Sequence, residues 1–541
     1  MLKNQSSSEF DYIVVGSGAA GAIVAERLSS DPSNNVCLLE AGGRDWHPFI
    51  HIPVGFIKTI FNPKLAWQFY TEGKNETGGR RIPIPQGKTL GGSTSINGLV
   101  FNRGDRSDYD YWSELGNTGW DYDSVLPYFK RIERCEFPVD EKYRSRDGVI
   151  PISRLDWIHP VCEAFMDSAE ERGIPRNADY NGEAQIGVGY YQRAISNGFR
   201  MSTARTYLKA ARSRDNLHIR THAQATRVIL EGKRAKGVEY YDSRRKQYVT
   251  VFARKEVIIS AGAINTPKLL QLSGIGEPGL LESLGIPVQH RLPGVGENLS
   301  DHYSIRISCR VRNILTINEE ARGIRLFRQV LRWLFKKPSV LGLSPSLVHI
   351  FWKSDEKMDF SDLQGVFTPA SYKKGYVGVL DNYPGMTCGF WQHRPQSRGY
   401  VRIASRDPLA DPVVQPNYLT HPEDLHVLVK GIRLARSILT APSLEQYRDA
   451  ETFPGADVDS DEALEKFVRE FGVSSYHLNG TAKMGPASDE MAVVDPQLRV
   501  HGLEGLRVID SSVMPRITSS NICAPTMMIA EKGADMILKG K

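Results

Sequence analysis

Apolar positions along the chain follow two rhythms. Asp11-Tyr-Ile-Val-Val15 is a short continuous apolar run, the pattern of a strand buried on both faces. Gly16-Ser-Gly-Ala-Ala-Gly21 follows at once, and residues 22–30 then carry Ile23, Val24 and Leu28 at helical spacing until Asp31-Pro32-Ser33 breaks the pattern. Val36-Cys-Leu-Leu-Glu40 is a second buried run that ends in a carboxylate. Together these predict a βαβ unit. Val257-Ile-Ile-Ser-Ala-Gly262 repeats the strand-to-glycine pattern, and helical spacing follows over residues 266–272. Between these segments His218-Ile-Arg-Thr, Arg227-Val-Ile-Leu and Gly237-Val-Glu-Tyr alternate with period two, which predicts antiparallel strands of a small accessory sheet. Over residues 322–337, Ile324, Phe327, Leu331, Leu334 and Phe335 share one helical face, with Arg325, Arg328, Arg332 and Lys336 elsewhere on the wheel. Most such patterns are surface helices packed on a core with a solvated basic face, and that is the expectation here. A basic amphipathic helix lying on a membrane surface, a peripheral membrane contact, is the other reading.

Composition narrows the class. Hydrophobic residues make up 41% and charged residues 24%, which excludes a disordered or fibrous chain. The 541 residues suggest two or three domains. Lys and Arg exceed Asp and Glu by 68 to 62, too dilute an excess to imply a nucleic-acid partner. The six cysteines show no metal spacing and read as reduced thiols, and the thirteen histidines show none either, so no metal is expected. Residues 1–10 lack the apolar core of a signal peptide, and no window approaches 18 consecutive apolar residues. The expectation is a cytoplasmic protein with no transmembrane segment.

Gly16, Gly18 and Gly21 form G-x-G-x-x-G in the context that gives the motif meaning, after a strand and before a helix, with Glu40 about 20 positions on. The first glycine permits the tight turn, the second a close approach to a pyrophosphate, and the third close packing of helix on strand. The helix start offers N–H groups and partial positive charge to phosphate. Glu40 suits a ribose diol. This motif binds an ADP moiety and does not separate NAD from FAD.

Longer segments resemble the glucose–methanol–choline (GMC) oxidoreductase family, choline dehydrogenase-like branch. They are Gly87-Lys-Thr-Leu-Gly-Gly-Ser-Thr-Ser-Ile-Asn97, Gly262-Ala-Ile-Asn-Thr-Pro-Lys-Leu-Leu-Gln-Leu-Ser-Gly-Ile-Gly276, His477-Leu-Asn-Gly-Thr-Ala-Lys-Met-Gly485 and Leu506-Arg-Val-Ile-Asp-Ser-Ser-Val-Met-Pro515. The resemblance runs in family order from residue 11 to about 538. It implies an α/β fold, a Rossmann-like FAD-binding domain interleaved with an α+β substrate domain built on an antiparallel sheet. The FAD domain would comprise residues 1–155, 215–310 and 479–541, and the substrate domain 156–214 and 311–478. The implied FAD contacts include Ser17, Ala19 and Ala41 around the glycine turn and Trp67 near the flavin. Leu90, Gly92 and Ser93 would form a loop with little bulk and several N–H donors. Asn97, Gly98, Leu99 and Val100 would approach the isoalloxazine. Val228 would meet adenine through its backbone, and Tyr476, Asp510, Ser511 and Ile522 complete the set. Asp510 or Ser511 would equally serve as a helix cap. Ile96 stands where some relatives carry a flavin-tethering histidine and has no group that forms such a bond, so FAD is expected to be non-covalent.

His477 and Asn521 match the family's catalytic pair. An imidazole, with a pKa near neutrality, suits removal of a hydroxyl proton, and a carboxamide donor suits the developing alkoxide. The pair implies oxidation of a primary alcohol to the aldehyde by hydride transfer to flavin, with electrons passed to a quinone-type acceptor or O2. His302, in an Asp-His pair, reads as structural. Leu347 stands near the position where choline-handling relatives place an acid, which points away from choline and towards an aryl or alkyl alcohol. Ser475, where some oxidases carry an apolar residue, leans towards a dehydrogenase. Choline oxidation and a non-redox flavoprotein of the same fold, a lyase or photoenzyme, are the rival functions, and a non-catalytic flavin-binding module is a third. Bleaching of a flavin band by alcohols without oxygen separates them.

Overall fold

The computed structural model describes residues 9–374 and 378–540. The polar residues 1–8 named above lie outside the described residues. β1 (Glu9–Val15) is buried from Phe10 to Val15 and runs into the glycine turn. Helix α1 (Gly21–Ser29) returns the chain to β2 (Val36–Glu40), parallel to β1 with Ile13 opposite Cys37. β3 (Gly187–Tyr190) belongs to a second sheet. β4 (Leu217–Thr221) returns to the first sheet beside β2, and β5 (Ala223–Glu231), β6 (Arg234–Asp242) and β7 (Gln247–Ile259) follow as an antiparallel meander. β7 is long enough to serve two purposes. Its first half pairs with β6, and its second half runs parallel to β1, with Val257 opposite Ile13, before entering helix α2 (Gly262–Leu272).

The next segment builds the second sheet from β8 (Tyr303–Val311), β9 (Val348–Trp352), β10 (Leu363–Thr368), β11 (Gly385–Gln392) and β12 (Arg448–Phe453), with helix α3 (Gly323–Leu334) between β8 and β9 and α4 (Pro422–Leu439) between β11 and β12. The chain then returns to the first sheet as β13 (Leu506–Val508), parallel to β7, and ends in α5 (Cys523–Lys539), which packs on α1. The strand orders are β4-β2-β1-β7-β6-β5, with β13 also on β7, and β12-β8-β11-β10-β9-β3. Every pairing along the second order is antiparallel.

Strand alternation gives the second sheet two chemistries. Ile305, Ile307, Cys388, Phe390, Leu363 and Phe367 share a core with Leu425, Leu428 and Ile432 of α4. The opposite face carries Ser304, Trp391 and Gln364 as directly paired residues across β8, β11 and β10. That polar and aromatic row faces the first sheet's glycine turns.

Three expectations change. The stretch at 218–221 is not part of an antiparallel accessory sheet. β4 is a parallel edge strand of the main sheet, with Leu217 opposite Val36. Its alternation arises because an edge strand here is only half covered, so period two does not report strand direction. The crossing into the second sheet comes before residue 310, since β8 starts at Tyr303. Helix α3 does not pack its apolar face on the core. Ile324, Phe327 and Leu334 are 66%, 57% and 60% exposed, while Gln329 is the helix's buried residue. Among the described residues no helix is long and apolar enough to cross a membrane.

The glycine turn leaves no room for side chains. Gly16 has φ +94°, and a Cβ at Gly21 would lie 1.8 Å from the Gly16 carbonyl oxygen. Gly21→Ala must push α1 off the strand end. The expected cost is about 1–3 kcal/mol of stability, with weakened FAD retention, measured by denaturant unfolding and by flavin absorbance after gel filtration. Wild-type values for both would contradict the packing described.

Candidate active site

A cavity of about 490 Å³ runs from the first βα turn to the polar face of the second sheet. At one end Gly16, Ser17, Gly18 and Ala19 meet Glu40 and Ala41. Helix α1 has no side-chain cap; the Ala22 and Ile23 N–H groups donate to the Gly18 and Ala20 carbonyls, and the partial positive charge of the helix start faces the slot. The Glu40 carboxylate accepts from the Ser17 hydroxyl at 2.6 Å, the Ser17 N–H at 3.1 Å and the Gly42 N–H at 2.8 Å. These bonds aim it along the wall, and burial holds its pKa above the usual carboxylate value. A Cβ at Gly18 would meet only the Gly92 Cα, at 3.9 Å, so backbone lines both sides of the slot there.

Further along, Gly92, Ser93, Asn97, Gly98, Leu99 and Val100 line one wall. The buried Arg200 holds this loop by donating to the Thr94 carbonyl and to Asn97 Oδ1 at 2.8 Å. Asp510, Ser511 and Ile522 line another wall, with Trp67 and Ile96. Asp510 accepts from the Gly262 N–H at 2.8 Å and the Thr266 hydroxyl at 2.6 Å and also caps the short turn Ser511–Val513, so the capping reading of this residue is realised beside its place on the wall. A narrow slot with a wall carboxylate, a helix start carrying partial positive charge and a low-bulk loop fits an extended dinucleotide such as FAD.

Three of the expected contacts lie off the wall. Gly21 packs under Gly16, Leu90 packs on the first sheet's core, and Val228 is 2% exposed with its N–H donated to Ser273 Oγ at 2.8 Å. Ala223, Gln224 and Ala225, earlier on the same strand, line the cavity instead. The strand meets the cavity at its start, which alternation alone does not reveal.

At the far end the residues form a directed circuit of hydrogen bonds. His302 Nε2 lies 2.9 Å from the His393 carbonyl oxygen. A carbonyl only accepts, so His302 carries its proton on Nε2. Burial pulls the His302 pKa down to about 4, which keeps the ring neutral and leaves Nδ1 bare. His302 Nδ1 is 2.9 Å from His477 Nδ1, so His477 is the donor there and its Nε2 is bare in turn. Asn521 Nδ2 stands 3.2 Å from that Nε2. Asn521 Oδ1 accepts from Gln364 Nε2 at 3.1 Å, and Gln364 Oε1 accepts from His393 Nε2 at 3.0 Å. The circuit returns to the residue where it began. Burial, reinforced by the neighbouring His302, holds the His477 pKa well below the ordinary imidazole value. Trp391 packs edge-on against the His477 ring with centroids 5.9 Å apart.

A second device fixes the loop. Tyr476 has φ +63°, a left-handed conformation that costs a non-glycine residue roughly 1–2 kcal/mol. The buried Asp301 carboxylate holds the loop in it, accepting from the His477 N–H at 2.7 Å and from the hydroxyls of Ser474 and Tyr418. Burial raises the Asp301 pKa to about 6. Both members of the Asp-His pair therefore position His477, a larger part for His302 than the structural one expected of it.

Ser304, Arg306, Val366 and Trp391 line the same end, with Ser346 and Pro345. Leu347, the position compared with an acid, is fully buried away from the cavity, and Ser346 occupies the wall. Among the described residues the lining carboxylates, Glu40 and Asp510, both lie towards the dinucleotide end, so the charged group at this end is Arg306. Gln364 and Arg306 escaped the sequence reading. Their signal is a polar position alternating with core residues on strands, which is not specific. No group of three or more His, Cys, Asp or Glu converges as a metal site among the described residues.

Known proteins share this outline. The model of the GMC oxidoreductase N-terminal domain matches residues 10–304 and that of the C-terminal domain residues 395–530. The chain is 39% identical over 531 residues to "Alcohol dehydrogenase [acceptor]" of Pseudomonas putida, covering 98% of this chain and 96% of that one. It is 38% identical over 536 residues to "Oxygen-dependent choline dehydrogenase" of Photobacterium profundum, covering 98% and 93%. Among solved structures, pyridoxine 4-oxidase from Mesorbium loti superposes with a TM-score of 0.88 at 28% identity, covering 98% of this chain and 99% of that one.

The circuit has a spectroscopic signature. In holoenzyme labelled with ¹⁵N-histidine at neutral pH, His302 is expected as the Nε2–H tautomer and His477 as the Nδ1–H tautomer. A His477 ring protonated on Nε2 would break the donor order.

Proposed function

The chain belongs to the GMC oxidoreductase family, an FAD-dependent oxidoreductase acting on alcohols, and from that premise we propose that it oxidises an apolar primary alcohol, aryl or longer alkyl, to the aldehyde. The observation that carries this is a bare imidazole nitrogen, His477 Nε2, beside a carboxamide donor, Asn521 Nδ2, at 3.2 Å on the wall of the cavity. Bound FAD supplies the hydride acceptor. The substrate hydroxyl displaces the Asn521 N–H from the single lone pair of His477 Nε2, and His477 takes the hydroxyl proton there. Its Nδ1–H stays bonded to His302, so the imidazolium that forms is held in place. The Asn521 amide has two N–H groups, and the one not directed at His477 donates to the oxygen as it gains negative charge. Gln364 keeps the carboxamide from flipping by donating to its oxygen.

The cofactor-binding assignment extends over Ser17, Glu40, Asn97 to Val100, Asp510 and Ile522, with Ala223 to Ala225 taking the place first given to Val228. FAD is held without a covalent bond, which the aliphatic side chain of Ile96 on the wall supports. The FAD lobe takes residues 1–155, 215–302 and 479–541, and the substrate lobe the remainder. A cytoplasmic setting suits six unpaired cysteines.

Substrate polarity follows from the wall. A quaternary ammonium needs a carboxylate or an aromatic cage. Here Arg306 supplies a like charge beside Trp391, Val366 and Pro345, which favours a neutral apolar alcohol over choline. Ser475 on the wall supports a quinone-type acceptor over O2. The relatives include proteins named for both choline and general alcohols, and the wall chemistry supports the second reading.

His477→Ala is expected to retain FAD while the rate of anaerobic flavin reduction by alcohol falls by about 10²–10⁴-fold, the usual share of a general base. An unimpaired variant would remove His477 from the mechanism. The lowered pKa places the acid limb of the kcat/KM profile below pH 6.5, because His477 must gain a proton to lose function and resists doing so. A limb above 6.5 would contradict that environment. Benzyl or octyl alcohol is expected to exceed choline in kcat/KM, and a preference for choline would overturn the substrate assignment. Stoichiometric peroxide under air would overturn the quinone-type acceptor.

A further inference from the structure

Helix α3 is amphipathic in an unusual sense, because the apolar face is the outer one. At roughly 100° per residue, Ile324, Phe327, Leu331, Leu334 and Phe335 fill one sector. Gln329, Val330 and Trp333 fill the opposite sector and attach the helix to the body. Trp333 Nε1 donates to the Gly198 carbonyl at 2.8 Å and its ring meets Phe199 edge-on at 5.0 Å. Gln329 donates to Glu320 at 2.7 Å and accepts from the Val340 N–H. The outer residues are 38–74% exposed, and Phe335 is 74% exposed. Burying such a face on the core was open to this chain, and the anchoring residues turn it away.

Charge supplies the second observation. Arg322, Arg325, Arg328, Arg332, Lys336 and Lys337 lie on or directly beside the helix, and no Asp or Glu occurs between Glu320 and Asp355. Arg325, Arg328 and Arg332 form the sector next to the apolar one. Apolar residues that point outward beside a basic flank match the interface of an anionic bilayer, where rings and aliphatic groups sink among acyl chains and cations meet headgroup phosphates.

Position supplies the third. The helix leads into the turn Val340–Gly342, which packs on Pro53–Gly55. The next residues along that second segment include Phe56 and Ile60, both on the cavity wall. On the same segment Trp46 and Phe49 are 75% and 42% exposed, and Arg44 stacks on the Trp46 ring at 5.2 Å.

We propose that α3 docks the protein onto an anionic phospholipid surface, with Phe327, Leu331, Leu334 and Phe335 in the interface and the basic residues on the headgroups. The docked edge adjoins the cavity wall at Phe56 and Ile60. This docking stands apart from the identity of the alcohol, since its test reads lipid binding.

The FAD-loaded enzyme is floated with vesicles of phosphatidylcholine alone or of phosphatidylcholine and phosphatidylglycerol in equal parts, at low and high salt. Binding is expected with phosphatidylglycerol, weakened by salt. The double variant Phe327→Glu/Leu331→Glu is expected to lose about tenfold or more of the bound fraction, and Arg325→Glu/Arg328→Glu about as much, with alcohol oxidation by a soluble dye unchanged in both. Absence of wild-type binding, or equal binding by the variants, would overturn the proposal. So would a dimer in light scattering that Phe327→Glu/Leu331→Glu converts to monomer, since a second copy would then cover the face.

Discussion

One donor–acceptor order governs the end of the cavity that carries His477 and Asn521. It starts at the His393 carbonyl oxygen, which can only accept, and each later bond inherits its direction from that fact. The neutral His302 transmits it to His477, and Gln364 and Asn521 close it from the other side. Each net hydrogen bond contributes only about 1 kcal/mol, but an orphaned buried donor or acceptor costs about 1–3 kcal/mol. Reversing one ring or one amide would orphan groups on both sides of it. The order is therefore held by the penalty for breaking it, and its chemical product is a proton-free His477 Nε2 held beside the Asn521 amide on the cavity wall.

The two sheets exist in a relation that makes this order useful. Three members, Gln364, His393 and His302, come from β10 or from the ends of β11 and β8, all in the second sheet. Asn521 precedes α5 and belongs with the first sheet's glycine turn and Asp510. The polar face of one sheet thus meets the dinucleotide edge of the other. Asp301 adds the local constraint by stabilising the left-handed Tyr476, so the His477 backbone does not relax away.

The first sheet was legible because its signals are local and carry their own mechanism. Gly16, Gly18, Gly21 and Glu40 lie within one βαβ unit, and buried strands there read as continuous apolar runs. His477 and Asn521, 44 residues apart, were found through resemblance, since nothing in their spacing makes them meet. Gln364 went unassigned because a polar residue on a strand looks alike whether it faces solvent or a cavity, and His302 read as structural because nothing in its Asp-His pair shows that it bonds His477. Strand β4 misled because half-coverage at a sheet edge imitates antiparallel alternation. Helix α3 misled because the wheel shows that an apolar face exists and not which way it points. Trp333 and Gln329 decide that, through partners outside the helix.

The most direct test removes the transmitter and leaves the base. Anaerobic stopped-flow reduction of His302→Leu by a primary alcohol, with FAD content checked by absorbance, separates a positioning part from a structural one. A normally loaded flavin that is reduced about 10–100-fold more slowly than in wild type, with the acid limb of the rate displaced, is the predicted result. A fully loaded variant with wild-type reduction rate and pH profile would contradict the donor order on which the mechanism depends.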